Sequence, residues 1–330
     1  MSPSRSALRR PVPSVGFLVV AAFTMAALLA PAMARATTRH AAPAGTGAAP
    51  CAASDPCPLP VAVGSAAPGE EISLAGGRYE LPAQLRLQAG QTLHGPGPGA
   101  DGAVLEFAPG SSGVQMVGSG VTVRDLTIEG TDGGMLLDAV PISGDDTVER
   151  VRVLARGDSY SGAMLVRSGS IVRDTVVWLE GINTALAVAT TNDGVAPVDL
   201  VNVTAVGWEG LGMSGEGVLG SGELHVRAVN SVFRATEDGF RGIAVSAAGG
   251  EPVELTIDHS NSEEPYLWGS PVYTAGAGMQ SEPPLFVDPA GGDFRQLPAS
   301  PTVDAGIGAP PAGLGAGDVA GDPRVAGAAV

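Results

Sequence analysis

The sequence predicts an all-β fold, a right-handed parallel β-helix with three strands per coil and about 27 residues per coil. Three observations lead there. A column of turn residues, Asp125, Arg150, Asp174, Asn202, Asn230 and His259, recurs at intervals of 25, 24, 28, 28 and 29 residues. Each of the six sits between two short Val-rich runs, as in V-T-V-R-D-L-T-I from Val121 to Ile128. Apolar residues at every second position give such runs one inward face. A third apolar run follows each of the first five pairs: M-L-L from Met135, A-M-L-V from Ala163, A-L-A-V-A from Ala185, G-M-S from Gly212 and G-I-A-V from Gly242. Repetition at this period marks a stacked architecture in which each unit buries its face only against its neighbours. The period is too long for a hexapeptide-repeat β-helix, and there is no Leu ladder; a propeller, which would need a longer blade of about 40 residues, is the remaining alternative.

The turn column has a backbone explanation. Asp and Asn tolerate a left-handed bend and can hydrogen-bond their own main chain, which Val or Ile cannot do cheaply. His259 and Arg150 are read as substitutes on the same ladder. The helical stack is expected over residues 59–280, with two imperfect coils beginning at Glu71 and Gln84 acting as caps. Tyr266 and Trp268 are expected to seal the last coil beneath a tail of residues 281–330.

Before the stack, Arg5, Arg9 and Arg10 precede an apolar run from Val15 to Ala30 and then the small-residue phrases A-M-A and A-R-A. This predicts a signal peptide over residues 1–36, too short in its apolar part to be a retained anchor. Residues 37–58, rich in Ala, Pro, Thr and Gly, read as a flexible spacer. Cys51 and Cys57 lie in it and are candidates for a small disulfide loop in an exported protein.

Charge disfavours several partners. The 34 acidic residues all follow position 36 and face 14 Arg and no Lys there, a net charge of −20. Nucleic acid and anionic lipid are disfavoured as partners, because both need positive charge to meet phosphate. An anionic polysaccharide is disfavoured too, unless a divalent cation bridges the two. Secretion or cell-surface display of a monomer is expected.

The tail carries P-P-L-F-V-D-P-A-G-G-D-F-R from Pro283 to Arg295, S-P-T-V-D-A-G from Ser300 to Gly306, and G-D-P-R from Gly321 to Arg324. These phrases resemble the C-terminal segment of secreted right-handed parallel β-helix repeat proteins, in the pectate-lyase-like superfamily. The chain departs from that pattern at its end, V-A-G-A-A-V. The resemblance implies a substrate groove along one strand column and its adjoining turns, here the third strands and the acidic turns before them.

Stacking would then set Glu180, Glu209 and Asp238 along one edge, about 4.8 Å apart per coil, with Arg156 and Arg241 as nearby cations. Three readings of that edge stand open. The carboxylates can hold Ca²⁺ through oxygen ligands and bridge to a glycan. Two of them can act as acid and base on a glycosidic bond, which needs roughly 5–9.5 Å between carboxyl groups. Or the edge is a solvated surface that discourages strand association. Trp178, Trp208 and Phe240 flank these carboxylates and are candidates for stacking on sugar rings, against a plain packing role.

Catalytic signatures are sparse. Ser159 and Ser214 lack the G-x-S-x-G setting. Asp145 with Asp146 gives an isolated D-D, Asn192 with Asp193 an isolated N-D, and G-H-G is absent. The third strands read as small and apolar between Met135 and Val245, with no base among them. The sequence therefore favours a non-catalytic surface or extracellular protein with capacity for a polysaccharide or cell-surface glycan. A polysaccharide lyase or glycoside hydrolase, and a structural surface spacer, are the alternatives.

Overall fold

The computed structural model describes residues 37–97, 101–140, 145–157, 162–190, 196–214, 216–217, 220–236, 239–248 and 250–323. The expected signal peptide over residues 1–36 lies outside the described residues, as do Ser159, Asn192, Asp193 and Asp238.

The described chain is a parallel β-helix of three strand columns. The first column begins with Thr38–Ala41, Glu71–Leu74 and Thr92–His94 and ends with Leu224–Val229, Val253–Asp258 and Val272–Ala275. The second begins with Gly77–Leu81 and Ala103–Phe107 and ends with Val232–Ala235 and Asn261–Ser262. Between these ends, four ten-residue strands, Thr122–Thr131, Thr147–Arg156, Ile171–Glu180 and Val198–Gly207, run through both columns and bend at the ladder residue. The third column is a separate sheet, from Leu85–Gln88 through Met164–Arg167 and Glu209–Ser214 to Tyr266–Trp268. Inward residues of all three columns form one continuous core from Ala41 to Ile257.

All six ladder residues adopt the left-handed conformation, with φ of 62° at Asp125, 51° at Arg150, 51° at Asp174, 53° at Asn202, 55° at Asn230 and 42° at His259. Their side chains pair along the column. The Asn202 amide donates to Asp174 Oδ1 at 2.9 Å, and Arg150 grips Asp125 with two bonds of 2.6 and 3.0 Å. Burial pushes the Asp125 carboxyl up, but Arg150 and Arg124 outweigh it and hold the group below the ordinary carboxylate range. Arg150 therefore keeps its rung by supplying a guanidinium where an amide would otherwise bond.

Pairing lapses at the bend, and a row of inward hydroxyls repairs it. Thr175, Ser231 and Ser260 each follow a ladder residue and donate to the carbonyl two residues back, at 2.8, 2.9 and 2.7 Å. Ser231 and Ser260 also accept an amide from the preceding coil, from Val203 at 3.1 Å and Ser231 at 3.0 Å. A buried backbone amide left unpaired there would be costly.

Two expectations about the N-terminal end change. Residues 37–58 are not a spacer: Thr38–Ala41 pairs with Glu71–Leu74 as the first rung, and Cys51 and Cys57 are joined in a buried disulfide. A four-residue rung is too short to show periodicity within an Ala- and Pro-rich run. The two coils from Glu71 and Gln84 are full members of the stack. Capping falls instead to the helix Leu59–Ser65, whose Leu59, Ala62 and Val63 are buried against the first rungs.

The tail folds back along the ladder side. Its hairpin, Phe286–Asp288 with Asp293–Gln296, presses Phe294 onto Leu154, Val176, Trp178 and Val206. Arg152 donates to the Gly292 carbonyl at 2.9 Å, and Asn230 clamps Ile307 by both its carboxamide atoms at 2.9 and 2.8 Å. Tyr266 and Trp268 are not sealed beneath it; they are 37% and 57% exposed.

At the return from the third column to the first, Asp146 is 1% exposed. Its Oδ1 accepts the Val121 amide of the preceding coil at 2.8 Å, while Oδ2 has no hydrogen-bond partner among the described residues. Burial pushes this carboxyl up to about 6.

Two outcomes are expected. Asn202→Val forces a β-branched residue into a left-handed bend and removes the bond to Asp174, so urea unfolding should register a loss of about 3 kcal/mol, against about 1 kcal/mol for Asn202→Gly. Asp146 binds its proton more tightly folded than unfolded, so its contribution is fully present below the unfolded value near pH 4 and falls as pH rises through about 6. Asp146→Asn should therefore raise the melting temperature at pH 8, by a stability gain on the order of 2 kcal/mol, and lose that advantage at pH 4. An equal gap at both pH values would show that titration is not the cause.

Candidate functional site

Outward residues of the third column are set by strand alternation and aligned by register. One row runs Gln115, Asp138, Leu165, Ala187, Gly212, Ala244, Tyr266. A second runs Arg167, Ala189, Ser214, Ser246, Trp268, and Thr184, Glu209 and Arg241 align beside them. Because Ala187, Gly212 and Ala244 have little or no side chain, these rows leave a groove of about 390 Å³. Thr184 and Glu209 form its wall, and Tyr266 and Trp268 close one end.

Gly212 is required for this shape. A Cβ there would come within 2.8 Å of Thr184 Cγ2 and 3.1 Å of Glu209 Oε2, breaking into the 2.8 Å bond that Thr184 donates to Glu209. At the closed end, Phe240 meets Tyr266 edge-on at 5.0 Å, and the Arg241 guanidinium lies 5.1 Å over the Phe240 ring while donating to its carbonyl at 2.8 Å. The groove offers hydroxyls from Thr184, Ser214 and Ser246, one carboxylate, and an aromatic corner.

The sequence-predicted residues divide. Glu209 lines the groove and Arg241 stands in register with it. Glu180 does not join them: it ends a strand of the second column in register with Arg156, whose Nε is 3.9 Å away, and its side chain is 62% exposed. The rung before Glu209 is Thr184, so the expected single acidic row is broken by a register offset. Asp238, the third member of that row, lies outside the described residues. Among the described residues no group of three or more His, Cys, Asp or Glu is arranged to hold a metal ion.

The aromatic candidates divide as well. Trp178 is 4% exposed, packed on Phe294 with ring centroids 6.2 Å apart and capped by Arg156 at 5.1 Å. The tail hairpin occupies the surface that a sugar would need. Trp208 and Phe240 are half-buried, and Phe240 contributes to the groove through its contact with Tyr266.

Asp138 and Arg167 were missed by the sequence reading, which took the third strands as small and apolar. Both project from the same outward rows, on coils before the groove floor. Burial pushes the Asp138 carboxyl up against the pull of Arg167, and burial pulls the Arg167 guanidinium down. Arg167 is 3% exposed and donates to the Thr190 carbonyl at 3.3 Å. The available signal was alternation carried one residue further, past A-M-L-V to Arg167.

A second cavity, also about 390 Å³, lies between the ladder and the tail and is lined by Asp174, Asn202, Asn230, His259, Phe294 and Asp304, among others. The carboxamides of Asn202 and Asn230 already bond Asp174 and Ile307 there. It is a seam that joins tail to stack.

No protein-family model matches the sequence, and no curated protein matches it. Among solved structures, the chain is similar to the pectate lyase Pel9A at 11% identity, with 87% of this chain and 96% of that one covered and a TM-score of 0.43. It is also similar to the A-module of the Azotobacter vinelandii mannuronan C-5 epimerase AlgE4, at 13% identity, 65% and 89% coverage and a TM-score of 0.25. Superpositions this loose say nothing about function, and the β-helix rests on the strand register described above.

Proposed function

We propose that this chain is an exported, non-catalytic β-helix protein that binds a glycan in the groove of its third column. The observation that carries this reading is the exposed pair Tyr266 and Trp268, two residues apart on one outward face, at the end of a floor of Ala, Gly and Ser. An aromatic ring gives a sugar an apolar face to stack on, and hydroxyls and a carboxylate beside it give its hydroxyls partners. Thr184, Ser214, Ser246 and Glu209 supply those partners. The net charge of −16 favours a neutral glycan over a polyanion. No helix among the described residues is long and apolar enough to cross a membrane.

A second reading, cleavage of the glycan, retains one supporting observation. Asp138 and Arg167 are a half-buried carboxyl and a buried guanidinium on the same face, each with its proton affinity displaced by burial, a pattern that recurs at active sites. Against it, Glu209 is the one carboxylate lining the groove among the described residues, whereas hydrolysis by paired carboxylates needs two facing one bond.

The two readings separate in one experiment. Purified protein is incubated with neutral and acidic polysaccharides, with and without Ca²⁺, and both retention and chain length are recorded. Retention of a neutral glycan without shortening is expected, and Trp268→Ala should weaken it about tenfold, near 1.4 kcal/mol. Shortening that Arg167→Ala abolishes would support cleavage; retention indifferent to both Tyr266→Ala and Trp268→Ala would remove the groove from consideration.

A further inference from the structure

The two ends of the stack are finished differently. At the N-terminal end, the helix Leu59–Ser65 and the disulfide-closed segment cover the first rungs. At the C-terminal end the tail turns aside to the ladder, so Tyr266–Trp268 and Val272–Ala275 are the last strands of their sheets, each paired on one side only among the described residues. The inward residues record the difference. Val245, Leu255 and Ile257 are at most 1% exposed, but their counterparts one coil later are Leu267, Tyr273 and Ala275, of which Leu267 is 43% exposed. This end therefore presents apolar core residues together with two rows of unpaired backbone groups. A further strand can continue both.

Charge defines what that strand must carry. From Gly242 to Phe294 there are eight acidic residues and no Arg or Lys. Some have partners within the chain: Glu263 is paired with Arg234 at 2.8 Å, and Glu254 lies at hydrogen-bond distance, 3.0 Å, from His225. Glu251, Glu264 and Glu282 form no ion pair among the described residues. A second copy docking end to end would bring these carboxylates against their own equivalents, and docking head to tail would meet the helix-covered end, where Arg39 is already bound to Glu70 at 2.9 Å.

We propose that the open C-terminal end of the β-helix is a docking site for an extended, basic peptide segment of a partner protein, added as a further rung. Its alternate apolar side chains lie over Leu267, Tyr273 and Ala275, and its Lys or Arg side chains reach Glu251, Glu264 and Glu282. This surface is the edge of the last coil, distinct from the outward face on which the glycan reading rests.

The test uses three fluorescent twelve-residue peptides of alternating Val and Lys, alternating Gly and Lys, and alternating Val and Glu, titrated with the full chain by anisotropy. The Val/Lys peptide should bind at least tenfold more tightly than either control. Leu267→Lys, at an exposed position, should weaken that binding at least tenfold with an unchanged melting temperature and unchanged glycan retention. The double variant Glu264→Gln, Glu282→Gln should flatten its dependence on salt, which gives a reading even where Leu267→Lys fails to fold. Equal binding of the two Lys peptides would reduce the effect to charge alone and overturn the proposal. So would absence of binding, or concentration-dependent dimerisation of the chain by itself, which would assign the end to a second copy.

Discussion

The fold depends on residue-for-residue parallel register between coils. A single coil buries none of its inward side chains and pairs none of its strand amides; its neighbours do both. Every bend must then fall at the same point of every coil, and the backbone there must turn left-handed without losing the bonds on either side. The ladder from Asp125 to His259 answers the first demand, and the hydroxyls of Thr175, Ser231 and Ser260 answer part of the second. Rungs that lack a favourable amide borrow from a neighbour, as Arg150 does from Asp125. Conformation and side-chain bonding are thus coupled along the column rather than solved coil by coil.

That coupling explains what was legible in the sequence. Asp, Asn and His at nearly constant spacing between Val-rich runs can be seen without coordinates, because the physics repeats with the coil. Asp125 and Asn202 announce the fold as strongly as the core does. The terminal elements escaped because they occur once. Thr38–Ala41 is a single rung with no partner repeat to reveal it, and Tyr266–Trp268 ends a column with no following coil to define which face is covered.

The groove was half legible. Its column was found, and Glu209 and Arg241 with it, but an offset of a few residues between a turn and the next strand separates Glu180 from Glu209. Turns vary in length where strands do not, so spacing along the sequence fixes strand neighbours better than turn neighbours. Trp178 illustrates a different limit. Its burial depends on Phe294, more than a hundred residues away in the sequence, and no local pattern encodes that contact.

The tail also has a dynamic meaning. Trp178, Leu154, Val176 and Val206 belong to a small apolar cluster outside the main core, completed by Phe294 of the hairpin. The bonds from Arg152 to Gly292 and from Asn230 to Ile307 span 140 and 77 residues, yet they involve outward side chains that the strand ladders do not use. The hairpin can therefore detach as a local opening, at a free energy below that of the stack. In that state the indole of Trp178, beside the already half-exposed guanidinium of Arg156, stands uncovered on an intact β-helix. Loss of the tail contact alone would thus expose a second aromatic surface while leaving the coil-to-coil register of the stack untouched.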